Sequence, residues 1–353
     1  MDHKFSIVIE HLVGMDSRVK EMLDLCVCEG LDCVHFVGIC GMGGIGKTTL
    51  AREICHRIYR DFEAWCFLEN VREDANKSKD LVSLQKILLS EIFLGTEIII
   101  HHFHEGINVI GTRLRNKKVL IVLDDVNEEI QLEALAGNGG WFGLGSIIIV
   151  TSRDRDLLRR HGVKHIYEAR ELNEDEALEL FSWKAFKKPH PEQFFVDLSM
   201  EFVRYASGLP LALKILGSSL FNRTPGAWIS ARDKLVENPD KGIMKILQIS
   251  FDGLEYAQRK LFLDIACFFK GEQEHCVRDT LKSLGHNPDY DILVLMGKSL
   301  ITIASNETLS MHDLLQEMGQ DIVRGEPPKE PGQRSRLWCY EDVLPVLKYN
   351  TVS

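Results

Sequence analysis

The sequence lacks any long apolar run. A helix that spans a bilayer needs roughly 18 or more apolar residues in succession, and no segment of this 353-residue chain approaches that length. The first residues include Asp2, Glu10 and Asp16 and lack the apolar core of a secretory signal. We therefore expect no association with a membrane.

Paired cysteines are also missing. The chain has nine cysteines but no C-x-x-C pair, and four of them stand within apolar runs, namely Cys33, Cys40, Cys66 and Cys267. Buried, reduced thiols explain this pattern better than a disulfide framework does. The sequence thus predicts a protein of the cytoplasm, or of the cytoplasm and nucleus.

An excess of positive charge is absent as well. The formal net charge is -10 at pH 7, and residues 243–345 contain 11 lysines and arginines against 16 aspartates and glutamates. Proteins that neutralise phosphate backbones have the opposite balance, so nucleic acid is disfavoured as a partner. No repeat of roughly 20–30 residues is visible, which excludes a leucine-rich array within this sequence.

Strand and helix patterns alternate in the first half of the chain. Short apolar runs predict five strands, at 34–39, 65–68, 118–123, 147–150 and 166–167. Helical spacing lies between them, for example from Leu81 to Phe93. Strands this apolar are covered on both faces, so this half is predicted to be an α/β domain with a parallel sheet.

The pattern becomes helical after about residue 170. Glu171 to Phe186 is predicted as a helix, with Asn173 as its N-cap and Glu176 completing a capping box. Helical spacing continues from Phe194 to Leu220. Two short β runs then flank a turn, at 299–303 and 308–311. A helix bundle that carries such a hairpin suggests a winged helix.

The strongest sequence signal is a glycine-rich segment between the first predicted strand and the helix that follows it. Residues 41–49 read Gly-Met-Gly-Gly-Ile-Gly-Lys-Thr-Thr, which fits G-x-x-x-x-G-K-[ST] in its strand–loop–helix setting. Glycines let backbone N–H groups turn toward a phosphate, and the helix N-terminus adds partial positive charge. We expect Lys47 to bridge the β- and γ-phosphates of ADP or ATP, Thr48 to ligate Mg²⁺ and Thr49 to approach the α-phosphate.

Two acidic residues, Asp124 and Asp125, follow the third strand. Mg²⁺ prefers oxygen ligands, and parallel sheets bind their ligands at the carboxyl ends of the strands. We expect Asp124 to hold Mg²⁺ and Asp125 to polarise a water molecule. By themselves the two residues fit a solvated turn, and the P-loop upstream favours the metal interpretation.

Two further residues have open interpretations. Arg153 follows the fourth strand and would face the γ-phosphate if that strand lay beside the P-loop strand; the alternative is a surface arginine in a charge-rich stretch. Pro210 follows Gly208 and Leu209, and its ring would either pack on adenine or merely start a helix.

In this order, the motifs resemble the NB-ARC module of plant disease-resistance proteins, in the subtype normally preceded by a TIR domain. The resemblance covers nearly the whole chain from Leu12. Besides the P-loop it rests on five stretches, at 11–19, 67–73 (Phe-Leu-Glu-Asn-Val-Arg-Glu), 262–269, 311–313 (Met-His-Asp) and 335–338 (Ser-Arg-Leu-Trp). One departure is Ser152, where the family usually has a threonine.

The resemblance implies three domains and a nucleotide site. The domain bounds are 1–11 for a linker, 12–170 for the P-loop nucleotide-binding domain, 171–242 for an all-α helical domain (ARC1), 243–345 for a winged-helix domain (ARC2) and 346–353 for a tail. The site residues are Val13, Gly43, Gly44, Ile45, Gly46, Lys47, Thr48, Thr49, Asp124, Asp125, Arg153, Pro210 and His312. His312 is the implied sensor: its neutral ring would donate to the ADP β-phosphate, while Asp313 caps the helix that follows. The alternative is that Met311 and His312 merely finish a hairpin strand.

The resemblance also implies a function. The module would be a molecular switch in a plant immune receptor, with an ADP-bound resting state and an ATP-bound, self-associating signalling state. Its partners would be the TIR and leucine-rich-repeat domains of the parent receptor. The sequence contains neither domain, so we expect a fragment or truncated product without TIR-type NAD cleavage. The alternative is a P-loop ATPase enzyme with fast turnover. A motor should show a glutamate directly after Asp124, where this sequence has Asp125, so slow hydrolysis is favoured.

Overall fold

The computed structural model describes residues 12–27, 33–78, 81–94, 98–237, 241–283, 285–298, 300–304, 306–325 and 331–349. Contacts divide the chain into two compact units. The first consists of the described residues of Met1–Gly41 and Ile45–Arg170, and the second of those of Met42–Gly44 and Glu171–Ser353. Across the described part of the chain, every helix is too short or too polar to cross a bilayer.

The first unit is an α/β domain. Its strands are β1 (His35–Cys40), β2 (Ala64–Leu68), β3 (Val119–Val126), β4 (Ile147–Ser152) and β5 (His165–Glu168). Its helices are α1 (Met15–Val27), α2 (Lys47–Ile58), α3 (Val71–Ser78), α4 (Leu81–Ile92), α5 (Phe103–Leu114), α6 (Glu129–Ala136) and α7 (Arg155–Arg160). The five predicted strands are confirmed: β1 is shifted by one residue, and the other four are longer than predicted.

The five strands form one parallel sheet in the order β2-β3-β4-β1-β5. Side chains alternate across it, since Val119, Ile121 and Leu123 of β3 belong to one apolar core and Leu120 and Val122 to another. Both faces are therefore covered, which explains the unbroken apolar runs of the strands. The predicted α/β fold class is confirmed, and β4 pairs directly with the P-loop strand β1.

The second unit is mostly helical. Its helices are α8 (Glu174–Phe186), α9 (Val196–Ala206), α10 (Pro210–Leu220), α11 (Pro225–Glu237), α12 (Lys241–Asp252), α13 (Tyr256–Asp264), α14 (Glu274–Ser283), α15 (Pro288–Gly297), α16 (Asp313–Arg324) and α17 (Tyr340–Tyr349). A π-helical turn, Ile265–Phe269, follows α13 directly. The antiparallel pair β6 (Thr302–Ile303) and β7 (Leu309–Ser310) is the predicted hairpin, with shorter strands; Ser299 and Ser305 lie outside the described residues.

Local sequence sets the helix boundaries of this unit. The Asn173 side chain accepts a hydrogen bond from the Glu176 backbone N–H at 2.9 Å, and the Glu176 carboxylate accepts one from the Asn173 backbone N–H at 3.1 Å. The predicted capping box is therefore confirmed. The helical spacing predicted from Phe194 to Leu220 is interrupted, because Ser207 and Gly208 have φ angles of 46° and 74°. Two left-handed residues in succession cannot continue a right-handed helix.

The π-helical turn is fastened to α16. The carbonyl oxygen of Ala266 accepts bonds from the side-chain amides of Gln316 at 3.1 Å and Gln320 at 3.2 Å. Between those two residues, a Cβ placed on Gly319 would lie 2.7 Å from the Ala266 Cβ, so α16 approaches the turn as closely as glycine allows. Two of the family-like stretches also meet, since Arg336 Nε lies 2.6 Å from Asp264 Oδ1.

Other predictions have mixed outcomes. Cys40 and Cys66 are buried as expected, whereas Cys33 and Cys267 are only partly buried. The linker at 1–11 and residues 350–353 of the tail lie outside the described residues. α17 runs across the boundary predicted at residue 345, and the division at 242 stays a prediction.

Candidate functional site

The P-loop begins where β1 ends and finishes where α2 starts. Gly46 is the N-cap of α2 and has a φ angle of 99°, a left-handed conformation that glycine adopts without strain. A glycine cap has no side chain to bond the first N–H groups of the helix, so these groups can bind an anion. The local geometry therefore fits a phosphate at the start of α2.

Gly44 belongs to the second unit. Its carbonyl oxygen accepts a bond of 3.2 Å from the Leu211 N–H, and a Cβ at Gly44 would lie 2.8 Å from the Leu211 Cβ. With a φ angle of 81°, this position requires glycine for two separate reasons. The adjacent Pro210 is the first residue of α10, which matches the helix-start interpretation; its contact with adenine stays a prediction.

Lys47 is the buried cation of the loop. Its side chain is 7% exposed, and its ammonium group donates to the Gly41 carbonyl oxygen at 2.8 Å. Burial, and then the positive charge of Arg153, lowers the pKa of Lys47 to about 8. A buried ammonium group is stabilised by a nearby anion, and a bound phosphate would be such an anion.

Asp124 joins three elements. Its carboxylate accepts hydrogen bonds from the hydroxyl of Thr48 on α2 at 2.8 Å and from that of Thr151 on β4 at 2.7 Å. Burial raises the pKa of Asp124 above its usual range, although both hydroxyl bonds act in the opposite direction. A hydroxyl and a carboxylate held side by side are a suitable donor set for Mg²⁺.

Asp125 stands in an irregular part of β3. The register of β3 against β4 shifts between Leu123 and Val126, and Asp125 has a φ angle of 57°. Its backbone N–H donates to the Thr151 hydroxyl at 2.8 Å, so one hydroxyl bonds both acidic residues. In a regular strand consecutive side chains point to opposite faces; the bulge lets both acids contribute to one site.

The Asp125 carboxylate lies between two arginines. Oδ2 is 2.7 Å from an Nη atom of Arg72, at the start of α3, and Oδ1 is 3.6 Å from Nε of Arg153, just after β4. All three side chains are 15–18% exposed. Burial, more than any other cause, lowers the pKa of Arg153, while Asp125 acts to raise it. The Arg153 side chain is thus mostly buried, and its contact with a γ-phosphate stays a prediction.

The remaining predicted residues lie in both units. In the first, Val13 and Ile45 are buried and Thr49 is partly buried on α2. In the second, Gly43 is buried and His312 is the N-cap of α16. The ring accepts from the Leu314 N–H at 3.1 Å through Nδ1, and Nε2 lies 3.0 Å from the Ser207 carbonyl oxygen.

The cap of α16 corrects one expectation. Asp313 was expected to cap this helix, but it is the first helical residue, and the ring of His312 acts as the cap. Imidazole nitrogen replaces the usual carboxylate or hydroxyl oxygen as acceptor.

Sequence reasoning missed two residues of the site. Thr151 is not among the predicted site residues, yet its hydroxyl bonds both Asp124 and Asp125. Arg72 was noted only as part of the family-like stretch at 67–73, and its contact with Asp125 depends on β2 lying beside β3. The signal that could have found it is an arginine four residues after a strand that ends at the carboxyl edge of the sheet.

A parallel sheet with a P-loop after β1 and an acidic pair at the end of β3 defines a P-loop nucleotide-binding domain. The NB-ARC domain family model matches residues 15–191, and the winged-helix domain model named for the disease-resistance protein Roq1 matches residues 255–326. The chain belongs to the NB-ARC family, and residues 255–326 are a winged-helix domain of the Roq1-like type.

Similar curated proteins are plant resistance proteins. The chain is 41% identical over 350 residues to TMV resistance protein N of Nicotiana glutinosa, across 97% of this chain and 30% of that protein. It is 43% identical over 329 residues to disease resistance protein RUN1 of Vitis rotundifolia, across 93% of this chain and 24% of that protein. The chain thus spans less than a third of the length of these relatives.

A solved structure shares the fold at low identity. The Walker-type ATPase paby2304 of Pyrococcus abyssi superposes with a TM-score of 0.58 at 14% identity, over 88% of this chain and 96% of that one. The likeness supports the P-loop ATPase fold.

Proposed function

We propose that the chain is an ADP/ATP-binding switch of an intracellular plant immune receptor, with ADP bound at rest and ATP bound in the signalling state. The observation that carries the proposal is the grouping of Lys47, the Thr48–Asp124 pair and Asp125 with Arg153. These side chains supply a phosphate-binding ammonium, a metal-ligand pair, an acid and a guanidinium at the carboxyl end of neighbouring strands. That is the set of groups a nucleoside phosphate requires.

Each residue has a separate role in the proposal. Lys47 neutralises phosphate charge, and Thr48 with Asp124 would hold Mg²⁺, which would supply further neutralisation of that charge. Asp125 orients a water molecule and accepts its proton. Arg153 donates charge-assisted hydrogen bonds to the γ-phosphate, which ADP lacks.

Slow hydrolysis follows from the surroundings of Asp125. Both oxygens of the Asp125 carboxylate contact guanidinium groups, those of Arg72 and Arg153, so a water molecule would have to compete with two ion pairs for it. This favours a switch over the alternative, a fast P-loop ATPase.

His312 would report the nucleotide state. We propose that in the ADP state its ring N–H bonds the β-phosphate, as the family resemblance implies. What supports the proposal is that the ring is held at the start of α16 by the Leu314 N–H and presents its other nitrogen to a hydrogen-bond acceptor.

The proposed partners come from the relatives. The chain would self-associate through its nucleotide-binding module in the ATP state and act in the cytoplasm beside the TIR and leucine-rich-repeat domains of the parent receptor. Plant defence is proposed on the strength of the resistance proteins to which the chain is 41–43% identical.

The experiment is to identify the nucleotide that co-purifies. The purified chain is denatured, the released nucleotide is separated by anion exchange, and ATP turnover is then measured on the native chain. The switch predicts bound ADP and a turnover far below the roughly 10 s⁻¹ that is typical of enzymes. A chain that carries no nucleotide and binds none contradicts the proposal, and a turnover of several per second favours the ATPase enzyme.

A further inference from the structure

The turn between β2 and α3 is rigidly built. Asn70 has a φ angle of 52°, and the next residue, Val71, is fully buried. Arg52 of α2 pairs with Glu69 at 2.7 Å and lies over the Phe67 ring, 5.4 Å from its centroid. The turn is therefore tied to the helix that begins with the P-loop lysine, and its position is fixed relative to the phosphate-binding residues.

Arg72 is the residue that this turn presents to Asp125. Its Nη atom is 2.7 Å from Asp125 Oδ2, whereas Nε of Arg153 is 3.6 Å from Oδ1. The short contact is that of a charge-assisted hydrogen bond, and the long contact is a weaker attraction. Of these two ion pairs of Asp125, the one with Arg72 is therefore the closer.

In the proposed site, Asp125 and the γ-phosphate of ATP compete for the guanidinium group of Arg153. Both are anions, and a mostly buried carboxylate requires a counter-charge because an uncompensated buried charge is costly. If Arg72 lost its charge, Asp125 would still have the guanidinium of Arg153 within ion-pair distance, at 3.6 Å. The Asp125 carboxylate would then pair with the Arg153 guanidinium, which binds the γ-phosphate in the proposed function.

We propose that Arg72 is a positioning residue that sets the preference of the site for ATP over ADP, by keeping Asp125 from capturing Arg153. The inference rests on the proposed function, because it assigns the step at which the same site tells the two nucleotides apart. ADP has no γ-phosphate, so its affinity does not depend on Arg72. ATP affinity does, through Arg153.

The test measures the dissociation constants of ADP and of a non-hydrolysable ATP analogue, both with Mg²⁺, for four variants of the whole chain. Arg72→Gln should weaken the ATP analogue about tenfold, the equivalent of one lost charge-assisted bond, and leave ADP within twofold. Arg72→Gln combined with Asp125→Asn should restore the ATP analogue, since a neutral amide does not capture Arg153. Arg72→Lys keeps the charge and should behave as the parent.

The fourth variant, Arg57→Gln, is the matched control. It removes an arginine of the same unit from its ion pairs with Glu53 and Asp16, and both affinities should stay unchanged. If Arg72→Gln does not fold by circular dichroism, Arg72→Met keeps the aliphatic stem and takes its place.

Two results would overturn the inference. One is an equal loss of ADP and ATP affinity in Arg72→Gln, which would mean that Arg72 only supports the structure. The other is a loss of ATP affinity that Asp125→Asn does not reverse. A parent chain that binds neither nucleotide would contradict the proposed function instead, so the two failures are distinguishable.

Discussion

His312 Nε2 lies 3.0 Å from the carbonyl oxygen of Ser207, a residue 105 positions earlier in the chain. Because Nδ1 accepts a hydrogen bond from the Leu314 N–H, the neutral ring carries its proton on Nε2. This Nε2–H donates a hydrogen bond to the Ser207 carbonyl oxygen. One ring therefore starts α16 and also binds the residue at which α9 ends. An alanine at 312 removes both interactions, and a test of the sensor has to separate them.

We expect His312→Ala to release ADP about tenfold faster than the parent chain, the equivalent of roughly 1.4 kcal/mol. The measurement is the dissociation rate of a fluorescent ADP in stopped flow. His312→Asn is the control, because asparagine is a good N-cap but lacks the Nε2 donor. Release that is fast in both variants supports the sensor; a parent-like rate in His312→Asn would show that only the cap matters.

Lys47→Ala should lower nucleotide affinity at least tenfold, since each charge-assisted bond to phosphate contributes roughly 1.5–3 kcal/mol. The chain should remain folded, because the substitution also removes the cost of burying an ammonium group, which lowers the pKa of Lys47 to about 8. Calorimetry with circular dichroism is the measurement. Lys214→Ala removes another lysine whose pKa burial lowers, in the second unit, and should bind as the parent does. Equal affinity in all three chains would argue against the P-loop assignment.

The two neighbouring acids should give different defects. Asp124→Asn should abolish the Mg²⁺-dependent part of nucleotide affinity while the chain stays folded, since the amide still accepts from Thr48 and Thr151. Asp125→Asn should slow hydrolysis and leave ADP affinity close to that of the parent. Binding is measured with Mg²⁺ and with EDTA, and turnover by phosphate release. If both variants hydrolyse ATP at the parent rate, these roles are wrong.

Cys55 offers a test of the packing under the P-loop helix. Burial raises the pKa of the Cys55 thiol to about 12, and only the thiolate reacts with iodoacetamide. We expect Cys55 to remain unlabelled at pH 8 and at pH 9.5 in the folded chain, whereas the exposed Cys276 is labelled at both. Peptide mass spectrometry reads the two sites, and Cys55 should be labelled once denaturant is added. Labelling of Cys55 in the folded chain would contradict the burial of this face of α2.

The sequence predicted those parts of the site that depend on local pattern. The strand–loop–helix context fixes where Lys47 and Thr48 must lie, and the strand that ends at Asp124 places its carboxylate at the same edge of the sheet. The contact between Thr48 and Asp124 at 2.8 Å is consistent with these two rules. Local pattern also predicted the capping box of α8, because both of its bonds link residues three apart.

Other parts depend on contacts that no local pattern encodes. Arg72 meets Asp125 only because β2 and β3 are neighbours, and the left-handed conformation of Asp125 belongs to a bulge that an Asp-Asp pair does not announce. The end of α9 at Ser207 was missed for a related reason. Serine has no preference for a left-handed conformation, and it adopts one here beside a glycine that favours it.

The contact of α16 with the π-helical turn has a mechanical consequence. Gln316, Gly319 and Gln320 fix the second turn of the helix against Ala266, whereas His312 stands at its tip. The tip is four residues, or about 6 Å, from Gln316 along the axis. If α16 tilts by about 10° around its contact with Ala266, the ring of His312 moves by about 1 Å, given the helical rise per residue. A displacement of about 1 Å would lengthen a hydrogen bond of the His312 ring beyond the usual range.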